Sequence, residues 1–401
     1  MAETPYFVKV EEALKISFHT KTQSGLEIVE LDDAFQRILA KDLNSLVNDP
    51  PFDNSAMDGF AMRYEDTINP PKTLEIIGTI QAAGQEDSIF VGPGQAVRIM
   101  TGAPIPKGAD SILQVELTST DQSSVTLQKE GMKHFIRKKG ENLVNGEVAL
   151  KAGTYLTPSR IGLCATMGHK TIPVVKRLRV AIISTGDELK QPGDKLERGE
   201  IYESNSFGLA GLVKWLGHQP VRMHSVGDSL DDLRDTLNLA AEDCDLILTS
   251  GGVSMGDWDL VRKIMEDEGD VHFWRVKLRP GSPPLFGLWK DTPIFGLPGN
   301  PVSSHVVFRV LVGPWIRNAT SANGPVEARA FAKLASKVKP TRDSLTLRRV
   351  SIEVTKDGLV AHQKIHQGSG NLASIAFSEG MVILQPGREY SIGDMVEVMI
   401  L

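Results

Sequence analysis

Apolar and polar positions along the chain change period four times. In LDDAFQRILAKDL (31–43), Leu31, Ala34, Phe35, Ile38 and Leu39 fall on one face of a 3.6-residue repeat, which predicts a helix. That pattern ends at Pro50-Pro51, a pair no helix interior tolerates. From 73 to about 141 come short β-type runs, TLEIIGTI, AVRIM, SILQVEL, SVTLQ and HFIRK, punctuated by Gly, Pro and Asp. A helical, linker-like piece follows, with Pro158 suited to a helix's first turn. From about 176 to 323, strands alternate with helices: RVAIISTG, then SNSFGLAGLVKWLG, VRMHSVG, SLDDLRDTLNLAAED, DLILTS, PIFGLPG and a last helix from Asn300. The clearest helix has Ser229 as its cap and a buried stripe of Leu230, Leu233, Leu237 and Ala240. After about 325, β runs such as TLRRVSIEV and EGMVILQPG return.

Strand–helix alternation predicts a doubly wound parallel sheet covered on both faces. The fold class expected is therefore multidomain α/β plus β. It comprises a helical N-terminal and linker segment (1–48 and 142–175), an inserted small β domain (49–141), a central α/β domain (176–324) and a C-terminal β-barrel or sandwich (325–401). A chain of 401 residues exceeds one ordinary core, as this division requires. Lys+Arg 44 against Asp+Glu 50 gives a formal charge of -6, which argues against a nucleic-acid surface as the main business. Cys164 and Cys244 offer neither zinc spacing nor a disulfide framework. With no signal pattern and no apolar run of spanning length, the expectation is a soluble, cytoplasmic protein.

Ligands of an open parallel sheet sit beyond the carboxyl ends of its strands. Here those ends read STGDEL, VGDS, TSGGVSMGDWD and GLPGNP. Gly251-Gly252 would let a backbone with amide donors approach a phosphate, and the following helix N-terminus would add partial positive charge. Asp257 and Asp259 suit the phosphate's counter-ion, Mg²⁺, and Glu188 and Asp228 could add oxygens around the same crevice. Carboxylates in a first turn also stabilise a helix dipole with no ligand at all. Neither GxxxxGK[ST] nor GxGxxG occurs at the first strand end, which disfavours an ordinary nucleoside triphosphatase or NAD enzyme.

PPFDNSAMDGFAM (50–62), AVRIMTGAPIPKGAD (96–110), STGDEL, TSGGVSMGDWD and GLPGNPVSS together resemble the molybdopterin molybdenumtransferases, in that family's order and over essentially the whole chain. The resemblance implies the last step of molybdenum-cofactor synthesis: molybdate and adenylylated molybdopterin react with Mg²⁺ assistance, and AMP leaves. It implies an elongated homodimer, with each site between the α/β domain of one subunit and the N-terminal parts of its partner, and transient contact with the adenylyltransferase that supplies the pterin. Asp58 and Thr101 match site positions that reach the partner's cleft. Glu188, Asp228 and Asp259 match acidic positions around the pterin phosphate and metal. Gly251, Gly252 and Ser254 match the phosphate loop, and Pro298, Gly299 and Asn300 the far wall. Arg279, Ser282, Arg348, Arg349 and Ser369 fall at or near positions proposed to hold molybdate.

Two departures stand out. Asn142, in Gly140-Glu141-Asn142, replaces a carboxylate found in many members. Ser282, in Arg279-Pro280-Gly281-Ser282-Pro283, replaces one of two lysines, while Arg279 keeps the other cation. Two other readings are open. A molybdopterin adenylyltransferase would leave every region but the α/β domain without a role. A scaffold protein would need a long linker and an additional domain, which this chain lacks.

Overall fold

The computed structural model describes residues 4–20, 22, 25–82, 89–227, 229–254, 259–363 and 366–401. Its centre is a seven-stranded sheet in the order Tyr6–Val8, Asp270–Val276, Leu285–Trp289, Thr292–Leu297, Leu246–Ser250, Arg179–Ser184, Gln219–Arg222. The last four strands pair in parallel, as alternation with helices requires. The sheet as a whole is mixed, which corrects the purely parallel expectation: Leu285–Trp289 runs antiparallel to both neighbours. It turns into Thr292–Leu297 through Lys290 and Asp291 alone, both at positive φ (46° and 68°), the backbone of a two-residue hairpin turn that matches strand twist.

Both sheet faces are apolar because both are covered. Val180, Ile182, Leu246 and Leu248 pack on one side with the helix Asn205–Trp215 and the helix that starts at Pro301. Ala181, Ile183 and Ile247 pack on the other with Leu230–Asp243 and Leu260–Asp267. The Ser229 hydroxyl accepts from the Asp232 amide, and Leu233, Leu237 and Ala240 are buried, as the pattern predicts. The long C-terminal helix widens to a π turn over Phe308–Val312 before Gly313–Ala319. Pro314 has no N–H to give the preceding turn, which accounts for the widening.

The N-terminal segment departs from the helical reading. Tyr6–Val8 joins the central sheet beside Asp270–Val276, and the helix Val10–Phe18 buries Val10 and Ala13 in the α/β core, where the Trp315 indole donates to the Ser17 carbonyl (3.1 Å). The stretch 31–43 holds only a 3₁₀ turn, Leu31–Asp33. Gln36 takes φ 59°, which no helix continues through, and Ile38 and Leu39 bridge instead to Tyr155 and Val174. Apart from the helix Val10–Phe18, the segment expected to be helical is mainly β ribbons, Leu26–Glu30 with Thr171–Val175 and Leu43–Asn44 with Val148–Leu150, beside the helix Pro158–Thr166. Phe35 is left exposed.

The inserted domain is a six-stranded sheet, Ser111–Gln114, Gly59–Met62, Gln95–Ile99, Lys72–Ile80, Ser124–Leu127, Thr118–Thr120. The C-terminal domain is a closed barrel. Leu345–Thr355 pairs with Gly358–His362 on one side and Gly380–Leu384 on the other, and Arg329–Leu334 and Met395–Ile400 complete the ring. Leu278–Arg279, leaving the α/β domain, adds in parallel to Leu345–Thr355 and joins the two domains edge to edge. Both cysteines are buried and free. Among the described residues no helix is long and apolar enough to cross a membrane.

Candidate functional site

Three adjacent parallel strands end at Ser184, Ser250 and Leu297, and the chain segments leaving them wall a cleft of about 710 Å³. Glu188, Gly251, Gly252, Ser254, Asp259, Pro298, Gly299 and Asn300 all line it, as expected from sequence. Gly251 and Gly252 have φ of 103° and 68°, and a Cβ on Gly251 would lie 2.8 Å from the Thr185 hydroxyl and 2.9 Å from its carbonyl oxygen. Glycine is required here by backbone sterics before any ligand is considered. One expectation is corrected: the Gly251 amide donates to the Leu297 carbonyl (3.0 Å) and does not point at a ligand, because the sheet ladder continues through it. Asp259 precedes the helix Leu260–Asp267 at its N-cap position without a side-chain cap bond. Asp228 and Asp257 lie outside the described residues. Among the described residues no three His, Cys, Asp or Glu side chains converge as a metal site.

Sequence reasoning passed over Glu203 and Asn205. Glu203 is 3% exposed; its carboxylate accepts from the Ser184 hydroxyl (2.9 Å) and from the Ser206 amide and hydroxyl (2.7 and 2.6 Å), with Arg222 3.9 Å away. The Asn205 amide donates to the Ser250 hydroxyl and the Gly299 carbonyl, both at 2.7 Å, so it clamps two strand ends together. The signal was present in YESNS as an acid and an amide beside a helix start, but only the fold turns them into the cleft.

A second pocket of about 410 Å³ adjoins the first and shares Ser254, Pro283, Pro298 and Asn300 with it. Arg279, Ser282, Arg348 and Ser369 line it, from both the α/β domain and the barrel. The barrel strand's parallel pairing sets Arg279 opposite Thr346, two residues from Arg348. One of the expected molybdate ligands lies outside this lining, and a second is committed to a turn. Arg349 points to the other face of its strand, 0% exposed, because successive side chains alternate. Ser282 is 1% exposed and its hydroxyl donates to the Val276 carbonyl (3.2 Å), so it closes a turn.

The two pockets differ in charge. Among the described residues, the lining of the cleft includes Glu188, Glu203 and Asp259 and no Lys, Arg or His, and that of the adjoining pocket includes two arginines and no carboxylate. Asp58 and Thr101 meet each other instead, outside both linings. The Thr101 amide and hydroxyl donate to the Asp58 carboxylate at 2.6 and 2.9 Å and hold its pKa below the usual carboxylate value. Asn142 donates to Asp49 (3.1 Å), a bond that a carboxylate at this position could not make without a proton.

Three family descriptions match the chain in succession: the MoeA N-terminal region (domain I and II) over 8–168, a probable molybdopterin binding domain over 181–318, and the MoeA C-terminal region (domain IV) over 332–401. The molybdopterin molybdenumtransferase of Haemophilus influenzae is 33% identical over 96% of this chain and 95% of its own. The chain belongs to the molybdopterin molybdenumtransferase family. Molybdopterin molybdenumtransferase 2 of Mycobacterium tuberculosis is 39% identical over 81% of this chain and 83% of its own. The fold is that of a molybdopterin biosynthesis MoeA protein from Pyrococcus horikoshii, with a TM-score of 0.84 and 27% identity over 98% of this chain and 100% of the other. Family membership makes the chain an enzyme, a transferase of molybdenum-cofactor biosynthesis.

Proposed function

We propose that this chain transfers molybdenum from molybdate to adenylylated molybdopterin, with AMP as the leaving product. The observation that carries the reading is the pair of adjoining pockets of opposite charge. Molybdate is a tetrahedral dianion, and Arg279 and Arg348 with the Ser369 hydroxyl supply the cations and donor it needs. The pterin lies in the cleft along Gly251, Gly252 and Ser254, so the shared wall of Ser254, Pro298 and Asn300 holds the reactants side by side. Glu188 and Asp259 are hard oxygen donors in the cleft lining, which suits Mg²⁺; bound there, it would withdraw charge from the phosphate. That second pocket needs both the α/β domain and the barrel, which favours this reaction over adenylyl transfer by an α/β domain alone.

A homodimer accompanies the proposal. Asp58 and Thr101 lie outside this chain's own cleft, and the reading has them serve the partner's. Contact with the adenylyltransferase belongs to the same proposal.

The test is molybdate-dependent AMP release. Arg279→Ala should raise the half-saturating molybdate concentration more than tenfold and leave pterin affinity unchanged, with the difference shrinking at high salt. Asp259→Asn should depress turnover more than pterin binding. A shift of pterin affinity alone in Arg279→Ala would move the cation to the phosphate site and refute the assignment of the second pocket.

A further inference from the structure

Arg349 is a buried guanidinium whose described hydrogen bonds go to carbonyls and a hydroxyl and not to a carboxylate, an expensive arrangement unless its donors are used. Two of its three nitrogens are used on one loop, and Nη1 has no partner among the described residues. Nε donates to the Ser374 hydroxyl (3.1 Å), and Nη2 donates to the carbonyls of Gly368 (3.0 Å) and His366 (3.4 Å). Its backbone grips the same loop: the Arg349 amide donates to Gln367 Oε1 (3.0 Å), and Gln367 Nε2 donates to the Arg349 carbonyl (2.9 Å). Ser374 passes the link on by donating to the Asn371 carbonyl (2.6 Å). The loop so held carries Gln367 and Ser369 into the arginine pocket and Gly370 and Leu372 into the cleft. Its Ser369 carbonyl also accepts from the Val302 amide at the start of the helix Pro301–Val307 (3.1 Å).

We propose that Arg349 is a positioning residue for the oxyanion pocket: it never touches the anion, and it fixes the 366–371 loop so that Ser369 and Gln367 face Arg279 and Arg348. The inference rests on the second pocket being the molybdate site. A guanidinium suits this task because its planar fork reaches two carbonyls and a hydroxyl at once, which an ammonium on a lysine stem cannot.

Molybdate alone, titrated calorimetrically into the full-length protein, is the probe, with adenylylated molybdopterin titrated in parallel. Arg349→Met keeps the apolar stem and removes every donor. It should weaken molybdate binding at least tenfold, leave pterin affinity within about twofold, and quicken amide exchange over 366–371 ahead of the barrel strands. At saturating molybdate, kcat should stay within about threefold, since a displaced loop raises the half-saturating concentration. Arg349→Lys keeps the charge and loses the fork; it should fall between the two, and it carries the same comparison if the methionine variant does not fold. Wild-type molybdate affinity in Arg349→Lys would overturn positioning in favour of charge alone. Unchanged affinity in Arg349→Met, with Arg348→Ala impaired, would overturn the inference while sparing the pocket. Unchanged affinity in Arg348→Ala and Arg279→Ala would instead remove the pocket's assignment.

Discussion

At the scale of the residue, geometry decides which side chains are free to do chemistry. Arg348 and Arg349 are neighbours with the same charge, yet one lines a pocket and the other ties down a loop. Ser282 is buried, and its hydroxyl closes the turn at Val276. A Ser282→Lys change is therefore expected to disturb the Val276 turn and not to improve molybdate binding. Gly251 gives a sharper expectation. Alanine there adds a methyl against Thr185 at a φ of 103°, so Gly251→Ala should cost about 1–3 kcal/mol of strain. Urea unfolding would register it as a lower midpoint with unchanged slope. An unchanged midpoint would mean that the loop relaxes freely, and the reading of the glycine pair as sterically required would fail.

At the scale of the element, the ribbon of Leu26–Glu30 with Thr171–Val175 has one face in a core and one outside. Val29, Ile172 and Val174 pack inward, while Leu26 and Ile28 are 46% and 61% exposed and pair across the strands with Val175 and Pro173. Water-facing apolar pairs on a two-stranded ribbon, with Phe35 also exposed, suit burial against a second copy. Under the proposed homodimer, Ile28→Lys should shift the species seen by light scattering from twice 43.7 kDa toward the single chain, with the thermal melt of the central domain little changed. A dimer that persists at micromolar concentration in this variant would place the contact elsewhere. The stretch 31–43 shows why the helix expected there fails. Its apolar spacing fits a helix, but Gln36 at positive φ and the bridges of Ile38 and Leu39 tie it into the ribbons, and tertiary pairing outweighs a few tenths of a kcal/mol per residue of propensity.

At the scale of the whole molecule, one buried and one half-buried histidine link stability to acid. His218 lies in the α/β domain, just before the strand Gln219–Arg222. Its Nδ1 accepts from the Leu178 amide (3.2 Å), so the neutral ring is the folded form, and burial with Arg177 and Arg37 nearby lowers its pKa to about 4. His305, on the helix beside the cleft, is lowered to about 4 by burial and Arg309. Each folded pKa lies below the ordinary value of 6.5, so the stabilisation from keeping both rings neutral is full above that value. It is lost as pH falls from 6.5 toward 4, where the unfolded chain takes up the protons first. His218→Gln keeps an acceptor for Leu178 and should take up about one proton fewer on unfolding near pH 5. Equal pH dependence in variant and parent would show that this ring titrates normally in the folded protein.

Much of this architecture was legible in the sequence because period and punctuation are local properties. The parallel run of four strands, the cap at Ser229 with its leucine stripe, and the glycine-rich strand end all follow from residues within a few positions of one another. The reversed strand Leu285–Trp289 was not legible, since its turn uses Lys290 and Asp291 at positive φ where Asn-Gly would have announced it. Nor could sequence separate Arg348 from Arg349, or bring Arg279 to the barrel's edge, or aim Asn205 at Gly299. Those depend on which face of a strand is covered, and by which distant segment. The sequence on its own fixed which chemistry the strand ends carry; the tertiary structure decided which of those groups share a pocket and which are consumed in holding it open, because side-chain direction and burial are set by contacts between residues far apart in the chain.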